Sequence, residues 1–258
     1  MAQGKVEKEN FIKFLGTAGA RFVMLRQLRA SAGIWVSFKG TNVLIDPGPG
    51  SLVRCLASKP KLDPSKLDAV ILTHRHLDHA NDANVILEAM TEGGFKERGA
   101  LFAPADVFEA EPIVLRHLRE IIHIELLKPH TQYSIGSLKF STGMRHIHSS
   151  ETYGFKFEIG KKTISLISDT RYFDGINEFY KADTVIINVV FYEPHPEVDH
   201  LSLMDAKKII NDLKPKETIL THFGMTMLKA KPHLLEERLR RELNTDVICA
   251  YDGMTLEL

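Results

Sequence analysis

The run Thr73-His74-Arg75-His76-Leu77-Asp78-His79 follows directly on an apolar, strand-like stretch, Ala69-Val70-Ile71-Leu72. Three imidazoles and one carboxylate fall within six residues. Such a cluster demands a fold that can open a cavity at the end of a strand. Alternate residues leaving a strand point the same way, and a tight turn swings the next pair around. His74 and His76 would thus hold one ion while Asp78 and His79 reach a second. Nitrogen and oxygen donors of this kind suit zinc, manganese or iron. Thiolate sites are excluded, since the only cysteines, Cys55 and Cys249, stand far apart and belong to no C-x-x-C pair. The bland alternative is a histidine-rich surface turn.

With 258 residues, 44% hydrophobic and 26% charged, the chain can bury a sizeable core. No apolar run approaches the ~20 residues of a membrane span, and Met1 to Asn10 is charged rather than a secretory leader, so the expectation is a cytoplasmic protein with no membrane partner. Two cysteines make no disulfide framework, which fits a reducing compartment. Thirty-three basic residues balance 33 acidic ones, leaving no overall electrostatic footprint for a long polyanion.

No linker, low-complexity tract or like-charge block divides the chain, and a single α/β domain over residues 1–258 is the simplest account. Strands are expected at Phe11 to Leu15, Ile34 to Phe38, Asn42 to Ile45, Ala69 to Leu72, Thr163 to Ile167, Thr184 to Val190 and Thr218 to Leu220. Helices are expected at Asn81 to Met90, Ala105 to Ile121, Asp205 to Leu213 behind Ser202 as N-cap, and His233 to Leu243. Three further strand ends carry a ligand type: Leu44-Ile45-Asp46-Pro47-Gly48, Leu166-Ile167-Ser168-Asp169-Thr170 and Ile219-Leu220-Thr221-His222-Phe223-Gly224. Ligand sites of α/β sheets gather beyond the carboxyl ends of strands, so four such ends could converge.

Taken together, these residues resemble the metallo-β-lactamase-fold hydrolases, over nearly the whole chain. The family signature, H-x-H-x-D-H and then a distant His, a bridging Asp and a final His, matches His74, His76, Asp78, His79, His148, Asp169 and His222 in order. The resemblance implies a four-layer αββα sandwich of α/β (α+β) class. It implies that His74, His76 and His148 bind a first metal, that Asp78, His79 and His222 bind a second, and that Asp169 bridges both. The cofactors would be two divalent ions, zinc by default, with manganese or iron compatible. Asp46 would buttress the ligand loop by hydrogen bonding. His146 competes with His148 for the third position. His148 is favoured because Thr152-Tyr153-Gly154-Phe155 resembles the aromatic-Gly step that follows that ligand. His117, His123, His130, His195 and His233, in helix or loop contexts, are expected to be structural or surface residues.

Within the family the chain leans toward the phosphodiesterase branch, which includes the transfer-RNA 3′-processing endonucleases and small cyclic phosphodiesterases. Phe14-Leu15-Gly16-Thr17-Ala18-Gly19 is similar to that branch's first strand and turn, and Asp199-His200-Leu201-Ser202 to its extra, non-ligand histidine. A Glu where His76 stands would instead mark a redox member. The implied chemistry is hydrolysis by a hydroxide held between the two cations, with catalytic work on Asp78, Asp169 and His200, the last as general acid. Only 21 positions separate His148 from Asp169, which leaves room for a strand pair and none for an RNA-clamping arm. The expected partner is therefore a small or cyclic phosphodiester. Nucleic acid is not favoured, and a homodimer is compatible because many members of the branch are dimers. A carboxyl-centred hydrolase acting on a lactone, thioester or amide is the alternative function. Two segments stay open: Glu88 to Phe95, as pocket wall or capped helix end, and Arg21, Arg26 and Arg29, as phosphate readers or a solvated face.

Overall fold

The computed structural model describes residues 10–19, 21–31, 33–109 and 111–258. Residues 1–9, the bulk of the charged N-terminal segment, lie outside the described residues. Among the described residues, fourteen strands form two seven-stranded sheets. The first runs in the order β14-β1-β2-β3-β4-β5-β6: β1 is Phe11–Phe14, β2 Ile34–Phe38, β3 Thr41–Ile45, β4 Ala69–Ile71, β5 Ala100–Ala103, β6 His123–Leu126 and β14 Thr255–Glu257. The second runs β13-β12-β11-β10-β9-β8-β7: β7 is Gln132–Ile135, β8 Leu138–Thr142, β9 Phe155–Ile159, β10 Lys162–Ile167, β11 Thr184–Asn188, β12 Glu217–Thr221 and β13 Asp246–Cys249.

Each sheet begins antiparallel and turns parallel, at β3–β4 in the first and β10–β11 in the second. Apolar residues of alternate positions fill the space between the sheets, among them Phe14, Val36, Val43, Ile71, Phe140, Phe155, Phe157 and Ile219. Their outward neighbours, such as Trp35, Leu44 and Val70 on one sheet and Ile167, Ile187 and Leu220 on the other, pack under helices. Helices α2 (Ser51–Ala57) and α4 (Ala83–Met90) cover the first sheet, while α7 (Leu203–Leu213) and α9 (Pro232–Leu243) cover the second. Two mixed sheets with helices outside make the expected four-layer αββα arrangement. Shorter helices complete the described chain: α1 (Phe22–Leu25), α3 (Leu77–Ala80), α5 (Arg116–Arg119), α6 (Ile176–Phe179) and α8 (Met225–Lys229).

The seven expected strands form, within a residue or two of the expected ends, and Ser202 caps α7 in a capping box with Asp205. The helix expected over Ala105 to Ile121 does not form. A 3₁₀ turn at Ala105–Val107 is followed by the single helical turn α5, because Pro112 between them has no N–H to donate. His123, expected in a helix or loop, opens β6. Glu88 to Phe95 is a helix end: Gly93, at φ +76°, donates its N–H back to the Glu88 carbonyl at 2.7 Å. No helix among the described residues is long and apolar enough to cross a membrane.

Candidate metal centre

The parallel strands deliver their carboxyl ends to one rim of the sandwich, and the polar residues just beyond those ends meet there. Asp46 follows β3, His74 stands three residues past β4, Asp169 two past β10, Asn188 ends β11 and His222 follows β12. Among the described residues, three overlapping groups each bring ligand atoms within 4.8 Å of one another: His74, His76 and His148; Asp78, His79, Asp169 and His222; and His148, Asp169 and His200. The structure thus brings together all seven residues of the motif, and His200 as an eighth. His146 is turned away. Its Nδ1 donates to the Asp169 carbonyl at 3.2 Å and its Nε2 accepts from the Tyr180 hydroxyl at 2.6 Å, so both ring nitrogens are committed elsewhere.

Asp46 orients the cluster without entering it. Its carboxylate accepts from the Thr73 amide at 2.7 Å, from the Thr73 hydroxyl at 2.8 Å and from His79 Nδ1 at 2.8 Å. That fixes the His79 tautomer and leaves Nε2 facing inward. His148 Nδ1 likewise donates to the Asp199 carbonyl at 2.9 Å. Asn188 was not singled out from the sequence, although it ends an apolar strand as Asp169 nearly does. It donates to Asp169 Oδ1 at 2.8 Å and so aims the other oxygen, Oδ2, at the centre.

Around Asp169 Oδ2 stand His79 Nε2 and His222 Nε2, each at 3.4 Å, His200 Nδ1 at 3.5 Å and His74 Nε2 at 3.9 Å. Asp78 Oδ2 lies 3.4 Å from His222 Nε2 and 3.6 Å from His79 Nε2. Five of these buried atoms have no hydrogen-bond partner: Asp78 Oδ2, His79 Nε2, Asp169 Oδ2, His200 Nδ1 and His222 Nε2. Buried polar atoms are nearly always paired, so converging orphans need an explanation, and a bound cation is one. The charges agree. Burial alone would raise the Asp169 carboxyl, yet His222, His200 and His79 hold it well below the usual carboxylate range. Burial likewise opposes ionisation of Asp78, and His79 and His222 bring it down to about 2. Against burial, Asp169 and Asp78 raise His222 to about 9. Protons on imidazole thus balance two buried carboxylates, a duty that a divalent cation would take over. Burial and the neighbouring His148 lower His76 to about 4, which keeps its imidazole neutral and able to bind a cation.

The site borders a cavity of about 610 Å³ whose lining includes His76, Asp78, His148 and His200 together with Met24 and Leu25. Arg21 stands at its mouth, while Arg29 is structural, donating to Thr17 Oγ1 and the Ala250 carbonyl, each at 2.8 Å. The Phe14-to-Gly19 turn packs under His222: Phe223 donates to the Thr17 carbonyl at 2.8 Å, Gly19 donates to Phe223 at 2.9 Å, and a side chain on Gly19 would run into the His222 backbone.

Comparison with known proteins agrees with this geometry. The family model described as the beta-lactamase superfamily domain matches residues 41–223. The uncharacterized protein MJ1374 of Methanocaldococcus jannaschii is 28% identical, covering 96% of this chain and 94% of that one. The probable metallo-hydrolase YhfI of Bacillus subtilis is 26% identical over 84% of this chain and 86% of its own. The crystal structure of YhfI superposes with a TM-score of 0.79 at 20% identity, over 97% of this chain and all of that one. A diphosphatase of the PhnP family superposes with a TM-score of 0.71 at 22% identity, over 96% and 97%. With the family model spanning well over half its length and both sheets in the matching arrangement, the chain belongs to the metallo-β-lactamase fold family of the β-lactamase superfamily.

Proposed function

We propose that this metal-dependent hydrolase is a phosphodiesterase that holds two divalent cations, by default zinc, and cleaves a small or cyclic phosphodiester. His74, His76 and His148 would hold one cation, Asp78, His79 and His222 the other, with Asp169 Oδ2 shared between them. When bound, the pair supplies a water made nucleophilic near neutral pH and positive charge for the phosphoryl oxygens. The chain's own residues do the rest. Asn188 and Asp46 fix Asp169 and His79, so the site is rigid before substrate arrives. His200, on the cavity wall and 3.5 Å from Asp169, would donate a proton to the leaving oxygen as its bond to phosphorus breaks, burial lowering its imidazole below the ordinary value and so making it the stronger acid. Ligands drawn from both sheets make the two halves one working unit.

The observation that carries the phosphodiester reading is this additional imidazole, on the wall of a cavity sized for a small molecule. The strand pair β9–β10 fills the interval from His148 to Asp169 and leaves no arm for a long RNA. The similarity to a probable metallo-hydrolase and to a diphosphatase supports metal-dependent hydrolysis. The test is the initial rate of bis(p-nitrophenyl) phosphate hydrolysis by metal-replete protein beside Asp169→Ala. Turnover absent from the variant is expected, and cyclic phosphates are then the substrates to screen. An inert wild type that opens lactones or thioesters would refute the phosphodiester reading.

A further inference from the structure

Beside the 3.5 Å approach of His200 Nδ1 to Asp169 Oδ2, a second ion pair ties the loop that carries His200 to the loop that carries Asp169. Arg171 Nε lies 2.7 Å from Asp199 Oδ1. Both residues occupy places that give the pair leverage. Asp199 immediately precedes His200, and its backbone carbonyl accepts the 2.9 Å hydrogen bond that orients the His148 ring. Arg171 lies two residues past Asp169 and donates its amide to the Ile147 carbonyl at 3.1 Å, beside His148. The Ile147 amide in turn donates to Thr170 Oγ1 at 3.2 Å. Three loops of the site, 146–148, 169–171 and 198–200, are therefore closed into a ring, and the guanidinium–carboxylate contact is the link between the second and third that lies outside the cluster itself.

We propose that Arg171 and Asp199 form a positioning clamp that aims two imidazoles, His148 as a metal ligand and His200 toward the reacting phosphoryl group, from one side-chain contact. Arg171 is absent from the cavity lining, so it acts through the loop and not on substrate. It is about half exposed, and Asp199 about a quarter. A pair that exposed adds little to global stability, so its consequence is local geometry. Partners that orient a ligand from outside the coordination sphere govern affinity and turnover far more than they govern folding. The inference rests on the ligand assignment proposed above.

The experiment compares wild type, Arg171→Ala, Arg171→Lys and Asp199→Asn in three measurements. These are zinc affinity by competition with a chromophoric chelator, kcat and KM for bis(p-nitrophenyl) phosphate, and melting of the metal-free protein. Arg171→Ala and Asp199→Asn should bind zinc about 10-fold more weakly, within the range for outer-shell partners. The kcat of both should fall, the KM of Arg171→Ala should stay near wild type because Asp199 but not Arg171 lines the cavity, and the metal-free melting temperature should not move. Arg171→Lys, which restores the cation, should recover most of both losses. High salt should lower the wild-type kcat toward that of Arg171→Ala, because an exposed pair is screened. Unchanged zinc affinity and kcat in Arg171→Ala would overturn the clamp. If the wild type binds zinc but cleaves no diester, the phosphodiester reading fails alone and the zinc comparison still decides the clamp.

Discussion

The two halves of the molecule repeat one topology and end it differently. In each, three antiparallel pairings (β14–β1–β2–β3 and β7–β8–β9–β10) give way to three parallel ones (β3–β4–β5–β6 and β10–β11–β12–β13). At the far end from the site the halves even share an anchor. Asp68, just before β4, accepts from the Asn42 amide at 2.8 Å, and Asp183, just before β11, accepts from the Thr163 amide at 2.9 Å. At the near end each half places an aspartate beyond its last antiparallel strand, Asp46 after β3 and Asp169 after β10. Asp46 spends both oxygens on Thr73 and His79. Asp169 keeps Oδ2 free, ringed by four imidazoles. The scaffold alone therefore does not make a ligand. What separates the proposed ligand from its support is which oxygens the surrounding donors leave unpaired.

Breaking the free carboxylate should cost most. Asp169→Ala should lose metal from the shared position and reduce turnover by about 10³-fold or more, as expected when a ligand common to both ions is removed, measured by steady-state rates on metal-replete protein. His200→Ala should leave metal content intact and lower kcat by about 100-fold, the lower range for a general acid; loss of metal would instead make it a ligand. Asp46→Asn keeps the shape and weakens the bond to His79, so metal affinity should fall by about 10-fold, read by chelator competition. If Asp46→Asn proved as damaging as Asp169→Ala, the distinction between support and ligand would collapse.

The smallest effect concerns the shared anchor. The Lys216 ammonium, at 2.8 Å, and the Thr163 amide and hydroxyl lower the Asp183 carboxyl from its usual 3.8 to about 2. A depressed carboxyl stabilises the fold above its unfolded value, and the contribution is lost as pH falls from about 4 through about 2. Asp183→Asn should therefore soften denaturant unfolding slightly at pH 7 and converge with wild type near pH 2, with activity untouched at neutral pH.

The contrast between the halves was only partly legible in the sequence. Asp46, Asp169 and His222 stand out because each puts a carboxylate or imidazole at or just past the end of an apolar run, the signal of a strand reaching a rim. Asn188 carries the same signal and was lost because Val189-Val190 after it reads as more strand. Seven strands went unrecognised for different reasons. Tyr133/Ile135, Leu138/Phe140/Thr142 and Phe155/Phe157/Ile159 alternate buried with more exposed neighbours, the period of a strand with one face on the core. They were legible but unread. β5, β6, β13 and β14, of three or four residues each, are too short for periodicity to register. The clamp was invisible because Arg171 and Asp199 are 28 positions apart and meet only through folding.

In the proposed site one unpaired oxygen, Asp169 Oδ2, would join two cations. The most direct measurement is metal content per chain by inductively coupled plasma mass spectrometry after saturation with zinc and desalting. About two zinc per chain are expected for the wild type and one or fewer for Asp169→Ala. A wild type that holds one or none, or an Asp169→Ala variant that keeps both, would contradict it.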